Sequence, residues 1–307
     1  MRAHNISKLS QAIKSDIHCI RNNNQKIMRD MNFVRSCLTA LEEGVGTLHQ
    51  NQTRQQFDQI LEWISSTNFP AQQSDLIARR QEGTGEWFLT STEFTKWFQT
   101  PRDTLYCPGI PGAGKTMIAA ITIDRLVKYI QSEAIGVAYI YCDYKAQADQ
   151  TVTSLLASIL KQLVCARLSI AEPVLYMYEH HSRQNTRPSL EEIFNTLQSI
   201  IRNYSTVYLI LDALDECSYQ DGTRGWLLAK FHELQKDVDL RIMVTSRFIH
   251  DLGKEFKSAA RLEIRANDSD VRRFIEGQID RLPNCVKRDK VLQEFVKDRI
   301  VEAVDGM

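Results

Sequence analysis

The chain has little that would place it in a membrane, on a secretory route or on nucleic acid. Among its 307 residues no apolar run approaches the roughly 20 that span a bilayer. The amino-terminal segment lacks the apolar core of a signal peptide. Lysine plus arginine and aspartate plus glutamate number 38 each, so a formal net charge of zero supplies no broad attraction to nucleic acid or anionic lipid. These absences predict a cytoplasmic protein with no membrane span and no nucleic acid partner.

Patterns typical of metal binding and of disulfide frameworks are missing too. The seven cysteines are scattered and odd in number, and the seven histidines form no ligand cluster. We therefore expect reduced thiols. The apolar content of 43% and charged content of 25% are those of an ordinary globular protein. The length allows one large α/β domain with smaller appendages.

One short segment carries a definite chemistry. Residues 109–116, with the sequence GIPGAGKT, match the pattern G-x-x-x-x-G-K-[ST] at every fixed position. In this pattern the glycines let backbone N–H groups turn towards a phosphate chain, the lysine reaches the β- and γ-phosphates, and the hydroxyl holds Mg²⁺. Thr104–Cys107 is a predicted strand before it, and Met117–Ile130 a predicted helix whose positive end adds to phosphate binding. The predicted nucleoside triphosphate site contains Gly109, Pro111, Gly112, Ala113, Gly114, Lys115, Thr116 and Met117.

A second predicted strand, further along the chain, supplies acidic groups. The apolar run Val207–Leu211 precedes Asp212 and suits a central parallel strand that is buried on both faces. Ligands of doubly wound sheets lie at the carboxyl ends of the strands, so we expect Asp212 to hold Mg²⁺ opposite Thr116. Asp215 and Glu216 follow, and either could orient or deprotonate a water that attacks the γ-phosphate.

A third predicted strand, Arg241–Val244, ends in Thr245, Ser246 and Arg247. A cation at this position could sense or stabilise the γ-phosphate, although Arg247 could equally be a solvated residue that closes a strand. Strands and helices continue to alternate, which predicts an α/β fold with a parallel sheet flanked by helices. The remaining predicted elements are strands Gly136–Cys142 and Ala260–Ile264 and helices Ser154–Leu163, Leu190–Ile201, Asp270–Arg281 and Lys287–Val304.

The first 50 residues have a different pattern. Eleven positions spaced alternately by four and three residues include ten apolar side chains, which is the seam of a left-handed coiled coil or helical bundle. The exception is Asn24, and a single buried asparagine can fix register or oligomeric state. We predict self-association through this helix, although the same seam could pack on the chain's own globular domain. Gly44 and Gly46 are expected to weaken its end. The positions are Ile13, Ile17, Ile20, Asn24, Ile27, Met31, Val34, Leu38, Leu41, Val45 and Leu48.

With these residues identified, the chain resembles the NACHT subclass of signal-transducing P-loop ATPases (the STAND class), most closely its fungal, NOD-like receptor branch. The resemblance covers residues 57–307. It implies a nucleotide switch in which exchange of ADP for ATP permits oligomerisation, through the helix and the nucleotide domain, and signalling from the amino-terminal segment. That segment resembles no known effector domain of the family. The blocks that carry the resemblance are Ala78–Leu89, Cys107–Thr116, Leu211–Cys217, Thr245–Arg247 and Arg272–Glu276.

The resemblance also implies a domain organisation. We expect an amino-terminal amphipathic helix or coiled coil over residues 1–50, a helical linker over 51–82 and a NACHT nucleotide-binding domain over 83–265. Residues 266–307 would begin a helical domain that, in the family, precedes a winged helix and a sensor. The chain would then end before those two regions.

Two other functions fit the same residues. One is an AAA+-type remodelling ATPase, which needs an arginine finger supplied across a ring, for which Arg272 and Arg273 are candidates. The other is a non-hydrolysing scaffold with a structural nucleotide. The expected ligand is ATP or ADP with Mg²⁺ and slow hydrolysis; the guanine-reading motif [NT]-K-x-D is absent, and GTP is the alternative. Five aromatic residues before the first strand either close over the base or pack the edge of the sheet: Trp87, Phe88, Phe94, Trp97 and Phe98.

Overall fold

The computed structural model describes residues 2–130, 132, 134–167 and 170–304. For part of the first 50 residues it describes the helical backbone alone, so the seam side chains of Ile13, Ile17, Leu41, Val45 and Leu48 lie outside the described ones. The chain divides into two compact units between Gln59 and Ile60. None of the helices that the structure describes is long and apolar enough to cross a membrane.

The amino-terminal segment forms one helix, α1, from Arg2 to Ile64, with 63 residues. It does not end near Gly44 and Gly46, where the sequence predicts a weak point. A glycine in a helix interior costs about 1 kcal/mol but, unlike proline, it removes no backbone hydrogen bond. The helix ends at Ile64, and Asn68 caps the next helix by accepting a hydrogen bond from the Ala71 N–H at 3.1 Å.

The second unit is built on a five-stranded, entirely parallel sheet. Its strand order is β2-β3-β4-β1-β5, so β4 lies between the strand before the phosphate loop and the strand that ends in Asp212. The predicted parallel sheet flanked by helices is confirmed. The strands are β1 (Thr104–Pro108), β2 (Ile135–Tyr141), β3 (Thr206–Asp212), β4 (Leu240–Ser246) and β5 (Ala260–Arg261).

Two strands differ from the prediction by more than one residue at an end. β4 runs on to Ser246 because Thr245 and Ser246, although polar, are fully buried and stay paired with β1. β5 has two residues instead of five, although the Leu262 and Ile264 N–H groups still donate to carbonyls of β1. Both differences lie beside the carboxyl end of β1, where the phosphate loop begins.

Twelve α-helices follow α1 along the described chain. Of these, α2, α4, α5, α6 and α9 contact strands of the sheet. The predicted helix from Lys287 to Val304 is in fact two helices, because the Asp289 carboxylate accepts from the Val291 and Leu292 N–H groups at 2.9 and 3.1 Å and so begins a new helix. The helices are α2 (Phe69–Ala78), α3 (Glu86–Leu89), α4 (Thr92–Gln99), α5 (Lys115–Tyr129), α6 (Val152–Cys165), α7 (Glu172–Gln184), α8 (Leu190–Ile201), α9 (Thr223–Asp237), α10 (His250–Glu255), α11 (Asp268–Gln278), α12 (Asn284–Arg288) and α13 (Lys290–Val304).

The central strands explain why the site lies where it does. Every residue of β4 is buried, as is every residue of β3 after Thr206, which is the pattern of a sheet covered on both faces. Polar groups on such strands meet solvent where the strands end. The carboxyl ends of β1, β4 and β3 are neighbours in that order, and they carry the predicted functional residues.

Candidate nucleotide-binding site

The phosphate loop connects β1 to α5 and depends on glycine at both ends. A Cβ atom on Gly109 would lie 2.5 Å from the carbonyl oxygen of Ile264, so no larger residue fits against the chain that follows β5. Gly114 precedes the first residue of α5 with φ of +90°, in the left-handed region that favours glycine. The loop is thereby held close to the sheet while it turns into the helix.

Lys115 is the first residue of α5, and its ammonium group lies over the loop. Its Nζ donates to the carbonyl oxygens of Gly109 at 2.9 Å and Ile110 at 2.8 Å. Burial lowers the pKa of Lys115, while the negative charges of Asp215 and Asp212 raise it. The ammonium is thus held at the mouth of the loop by two carbonyls that a stronger acceptor, such as a phosphate, could replace.

Asp212 ends β3 and is 2% exposed. Its Oδ1 accepts a hydrogen bond from the Thr245 hydroxyl at 2.6 Å. Burial raises the pKa of Asp212 to about 6, against the lowering effect of the nearby Thr245 and Thr116 hydroxyls. A carboxylate beside a threonine hydroxyl is an oxygen donor set of the kind that Mg²⁺ prefers, so these two residues fit that ion.

Thr245 belongs to the site, although the sequence pattern did not predict its contact with Asp212. Its hydroxyl donates to Asp212 and also accepts from the Ala213 N–H at 2.9 Å. Ala213 has φ of +53°, a left-handed conformation that is unfavourable for alanine and is held here by that bond. Thr245 therefore fixes both the Asp212 carboxylate and the turn that leads to Asp215 and Glu216. Two separate strands must be known to be neighbours before this role can be seen.

The two acids after that turn lie in different environments. Asp215 has a side chain that is 1% exposed and binds Arg247 twice, accepting from its backbone N–H at 3.0 Å and from its Nε at 2.5 Å. Glu216 is 27% exposed and lies 3.9 Å from the Arg247 guanidinium. It accepts instead from the Tyr144 N–H at 3.3 Å. Asp215 is committed to Arg247, whereas Glu216 remains open to the cleft.

These groups surround one cleft of about 390 Å³. The structure brings together the predicted phosphate-loop residues and the acidic and basic residues from the ends of β3 and β4. Asp212 and Thr245 lie buried beneath it. The residues that line the cleft are Pro111, Gly112, Gly114, Lys115, Thr116, Met117, Ala213, Asp215, Glu216 and Arg247.

The aromatic residues before β1 mostly pack. Phe88, Phe94 and Trp97 are at most 5% exposed and contact one another in series. Trp87 is half-buried, and its Nε1 donates to Asp270 of α11 at 3.2 Å. None of the five predicted aromatics lines the cleft. The packing alternative accounts for their positions.

The two candidate finger arginines are held by neighbours in the same unit. Arg272 pairs with Asp298 of α13 at 2.5 Å, and Arg273 donates to the Gly83 carbonyl at 2.8 Å. Both arginines lie on α11, so these contacts tie α11 to α13 and to the segment before α3. Neither side chain lines the cleft.

Comparisons with known proteins identify the family of this chain. Residues 83–247 match the family described as Nephrocystin 3, N-terminal. The vegetative incompatibility protein HET-E-1 of Podospora anserina is 26% identical over 235 residues, which cover 72% of this chain and 17% of that protein. The chain therefore spans about a sixth of this relative's length.

Two solved structures have a similar arrangement at low identity. The Orc1 protein of Aeropyrum pernix in complex with DNA is 16% identical, with a TM-score of 0.44, over 62% of this chain and 48% of that one. The Walker-type ATPase PABY2304 of Pyrococcus abyssi is 13% identical, with a TM-score of 0.43, over 74% and 64%.

The family match extends over more than half of the chain. It begins at Gly83, ahead of the phosphate loop, and ends at Arg247, so every residue that lines the cleft falls within it. The resemblance to a NACHT-like NTPase is confirmed. The chain belongs to the Nephrocystin 3, N-terminal family and is a NACHT-like P-loop nucleoside triphosphatase.

Proposed function

We propose that the chain is a signalling switch that binds ATP with Mg²⁺, hydrolyses it slowly, and oligomerises according to the nucleotide it holds. The observation that carries this proposal is the convergence of Lys115, Glu216 and Arg247 on one cleft beside the phosphate loop, with Asp212 buried beneath it. Cation, carboxylate and loop amides at one edge of a parallel sheet suit a phosphate chain. ADP would occupy the resting form, and GTP is the alternative to ATP.

Each residue has a role in this proposal. The backbone of residues 109–117 and the Lys115 ammonium bind the phosphates. Thr116 and Asp212 hold Mg²⁺, which when bound neutralises charge on the phosphate oxygens. Glu216 orients or deprotonates the attacking water because its carboxylate is open to the cleft.

Arg247 is the proposed sensor of the γ-phosphate. Its guanidinium is bound to Asp215 but is half-exposed. Because the side chain is not enclosed by other residues, it can turn towards a phosphate in the cleft. Asp215, the other acid proposed for the water, then also serves as the alternative partner that holds the arginine when no γ-phosphate is present. A sensor with two exclusive partners is the two-state element that a switch requires.

The proposal extends to organisation and location. We propose the boundaries 1–50, 51–82, 83–265 and 266–307 for the amino-terminal helix, linker, nucleotide domain and start of a helical domain. The cytoplasm is the proposed location, and no nucleic acid partner is proposed because the net charge is zero. Arg272 and Arg273 both have partners in the same unit, so a remodelling ATPase gains no support from them.

The test of the proposal is the mass of the purified protein in solution, with its released nucleotide identified by chromatography. We expect ADP on a single chain and a larger assembly with a non-hydrolysable ATP analogue. An assembly of the same size with either nucleotide, or with none, would support the scaffold instead of the switch.

Replacing Thr245 with valine is expected to weaken the response of nucleotide binding to Mg²⁺. The change leaves Asp212 without a hydrogen bond that, for a charged group, is worth about 1.5–3 kcal/mol. We expect half-maximal binding to need about tenfold more Mg²⁺, measured by titrating a fluorescent nucleotide. Thr245→Ser keeps the hydroxyl and should behave as wild type. Tyr106→Phe, which removes a buried hydroxyl bonded to Ser246, is the matched control. Equal Mg²⁺ dependence in the valine and serine variants would contradict this role.

Replacing both Ile20 and Ile27 with aspartate is expected to convert an assembled protein into single chains. Both side chains are more than half exposed on α1, and charges there would oppose burial against another helix. Light scattering gives the mass, and nucleotide affinity should be unchanged. The control is Asn22→Asp with Arg29→Asp, which introduces two aspartates at the same seven-residue spacing on the outer surface of the helix. This control should leave the assembly intact. A wild-type chain that is single from the start contradicts the prediction.

A further inference from the structure

An exposed apolar stripe runs along α1. Its described members Ile20, Ile27, Met31, Val34 and Leu38 are each more than half exposed. We propose that this stripe binds further copies of the same chain, parallel and in register, in a bundle of three or four helices. The inference rests on the proposed self-association and adds the partner's identity, direction and number.

The charges beside the stripe select the parallel direction. In heptad terms Asp16 and Asp30 precede the first seam position of a heptad, and Arg21 and Arg35 follow the second. In a parallel pair, the position before the first seam residue on one helix lies against the position after the second seam residue, five residues later, on the other helix. This arrangement pairs Asp16 with Arg21 and Asp30 with Arg35. Antiparallel neighbours would bring aspartate against aspartate and arginine against arginine. These four charges are therefore complementary to one another in the parallel direction alone.

Asn24 selects the register. It occupies a seam position between Ile20 and Ile27, and its side chain is exposed in the single helix. In a parallel bundle without a shift each Asn24 meets Asn24 of its neighbours, where an amide can both donate and accept. Any shifted or antiparallel arrangement would bury the amide against apolar side chains with no hydrogen-bond partner, which is unfavourable.

The shapes of the seam residues select the number of helices. Two-stranded parallel coiled coils favour β-branched residues at the first seam position and leucine at the second. Here the second position is β-branched in four consecutive heptads, and the first holds Ile17, Asn24, Met31 and Leu38. Isoleucine at both positions, or leucine at the first with isoleucine at the second, favours three or four strands. The β-branched residues are Ile13, Ile20, Ile27 and Val34.

Charge reversal in the full chain tests the direction. One variant makes the aspartate side basic, a second makes the arginine side acidic, and a third combines both. In a parallel bundle each single-side variant sets like charges together and should fall to the mass of one chain, while the combined variant regains the wild-type mass. A control reverses two charges away from the seam. The variants are Asp16→Lys with Asp30→Lys, Arg21→Glu with Arg35→Glu, all four together, and Lys26→Glu with Arg29→Glu as control.

Each outcome decides something. A wild-type mass of three or four chains, lost in both single-side variants and regained in the combined one, supports the bundle. An antiparallel assembly would keep its mass throughout, because like charges already oppose each other there, and that result overturns the inference. A mass of two chains, or of one under every nucleotide, also overturns it.

The same samples separate this inference from the proposed switch. Mass is measured for every variant with ADP and with a non-hydrolysable ATP analogue, and nucleotide affinity is measured alongside. If assembly responds to the charges but is equal with both nucleotides, the bundle stands and the switch is wrong. If assembly follows the nucleotide but ignores the charge reversals, the switch stands and the bundle is wrong.

Discussion

Replacement of Lys115 by alanine is expected to lower nucleotide affinity at least about a hundredfold, which corresponds to about 2.7 kcal/mol. A charged hydrogen bond to phosphate is worth about 1.5–3 kcal/mol, and the ammonium is placed to make more than one. Its present acceptors are the carbonyls of Gly109 and Ile110 at the mouth of the loop. Because the loop borders the cleft, water can replace the lost donor, so the fold should survive the change.

The measurement is a calorimetric or fluorescence titration with ADP and with an ATP analogue, with a thermal melt to confirm folding. Lys128→Ala is the matched control: the same substitution, in the last turn of the same helix, where the ammonium pairs with Asp124 at 2.9 Å. It should leave affinity unchanged. A Lys115→Ala protein that binds within about tenfold of wild type would remove the phosphate loop as the basis of binding.

Local sequence patterns correctly predicted the positions of many of the strands and helices. The strand before the phosphate loop and the run that ends in Asp212 lie where their apolar patterns place them, and helix Leu190–Ile201 has the predicted bounds. Buried parallel strands and amphipathic helices leave such patterns because the geometry of the strand or helix decides which of its residues face the core. The prediction of one helix over Lys287–Val304 was wrong, because an aspartate cap inside a periodic stretch leaves the periodicity unchanged and the split at Asp289 therefore leaves no signal in the pattern.

What the sequence could not predict is how separate elements meet. The position of β4 between β1 and β3 is set by strand order, which no local pattern encodes. Thr245 therefore looked like a polar residue at a strand end, whereas it binds Asp212 across the sheet. Asp215 and Glu216 are adjacent acids with similar side chains, and the turn at Ala213 directs one under Arg247 and leaves the other towards the cleft.

That difference gives the second large prediction. Glu216→Gln is expected to slow ATP hydrolysis about a hundredfold or more, since a positioned general base contributes about 10²–10⁴-fold. The amide keeps the size of the side chain and its acceptor oxygen for the Tyr144 N–H. Affinity for ATP should therefore change little, and the protein should accumulate in its triphosphate form. If hydrolysis is unchanged, Glu216 does not act on the water.

Asp215→Asn is the companion variant and should behave differently. It removes the charge that holds Arg247, while the backbone N–H of that arginine keeps an acceptor. We expect a smaller loss of hydrolysis than in Glu216→Gln, together with a reduced preference for ATP over ADP, because the arginine is no longer held away from the phosphate when ADP is bound. Single-turnover phosphate release and paired titrations with both nucleotides separate the two effects. Equal losses of hydrolysis with unchanged nucleotide preference would contradict the assignment of Asp215 to the arginine.

The two variants also separate the three functions that the sequence left open. In a switch, Glu216→Gln should keep the protein assembled with ATP for as long as the nucleotide stays bound, and Asp215→Asn should allow some assembly with ADP. In a remodelling ATPase the same changes would stop turnover, and the rate of the wild type would rise as the ring forms. In a scaffold neither change would alter the mass, because the helix pairing would not depend on the cleft. The mass of the protein with each nucleotide and its hydrolysis rate therefore distinguish the three functions. Changes in the cleft alter the mass of a switch and the turnover of a remodelling ATPase, and they leave the mass of a scaffold unchanged.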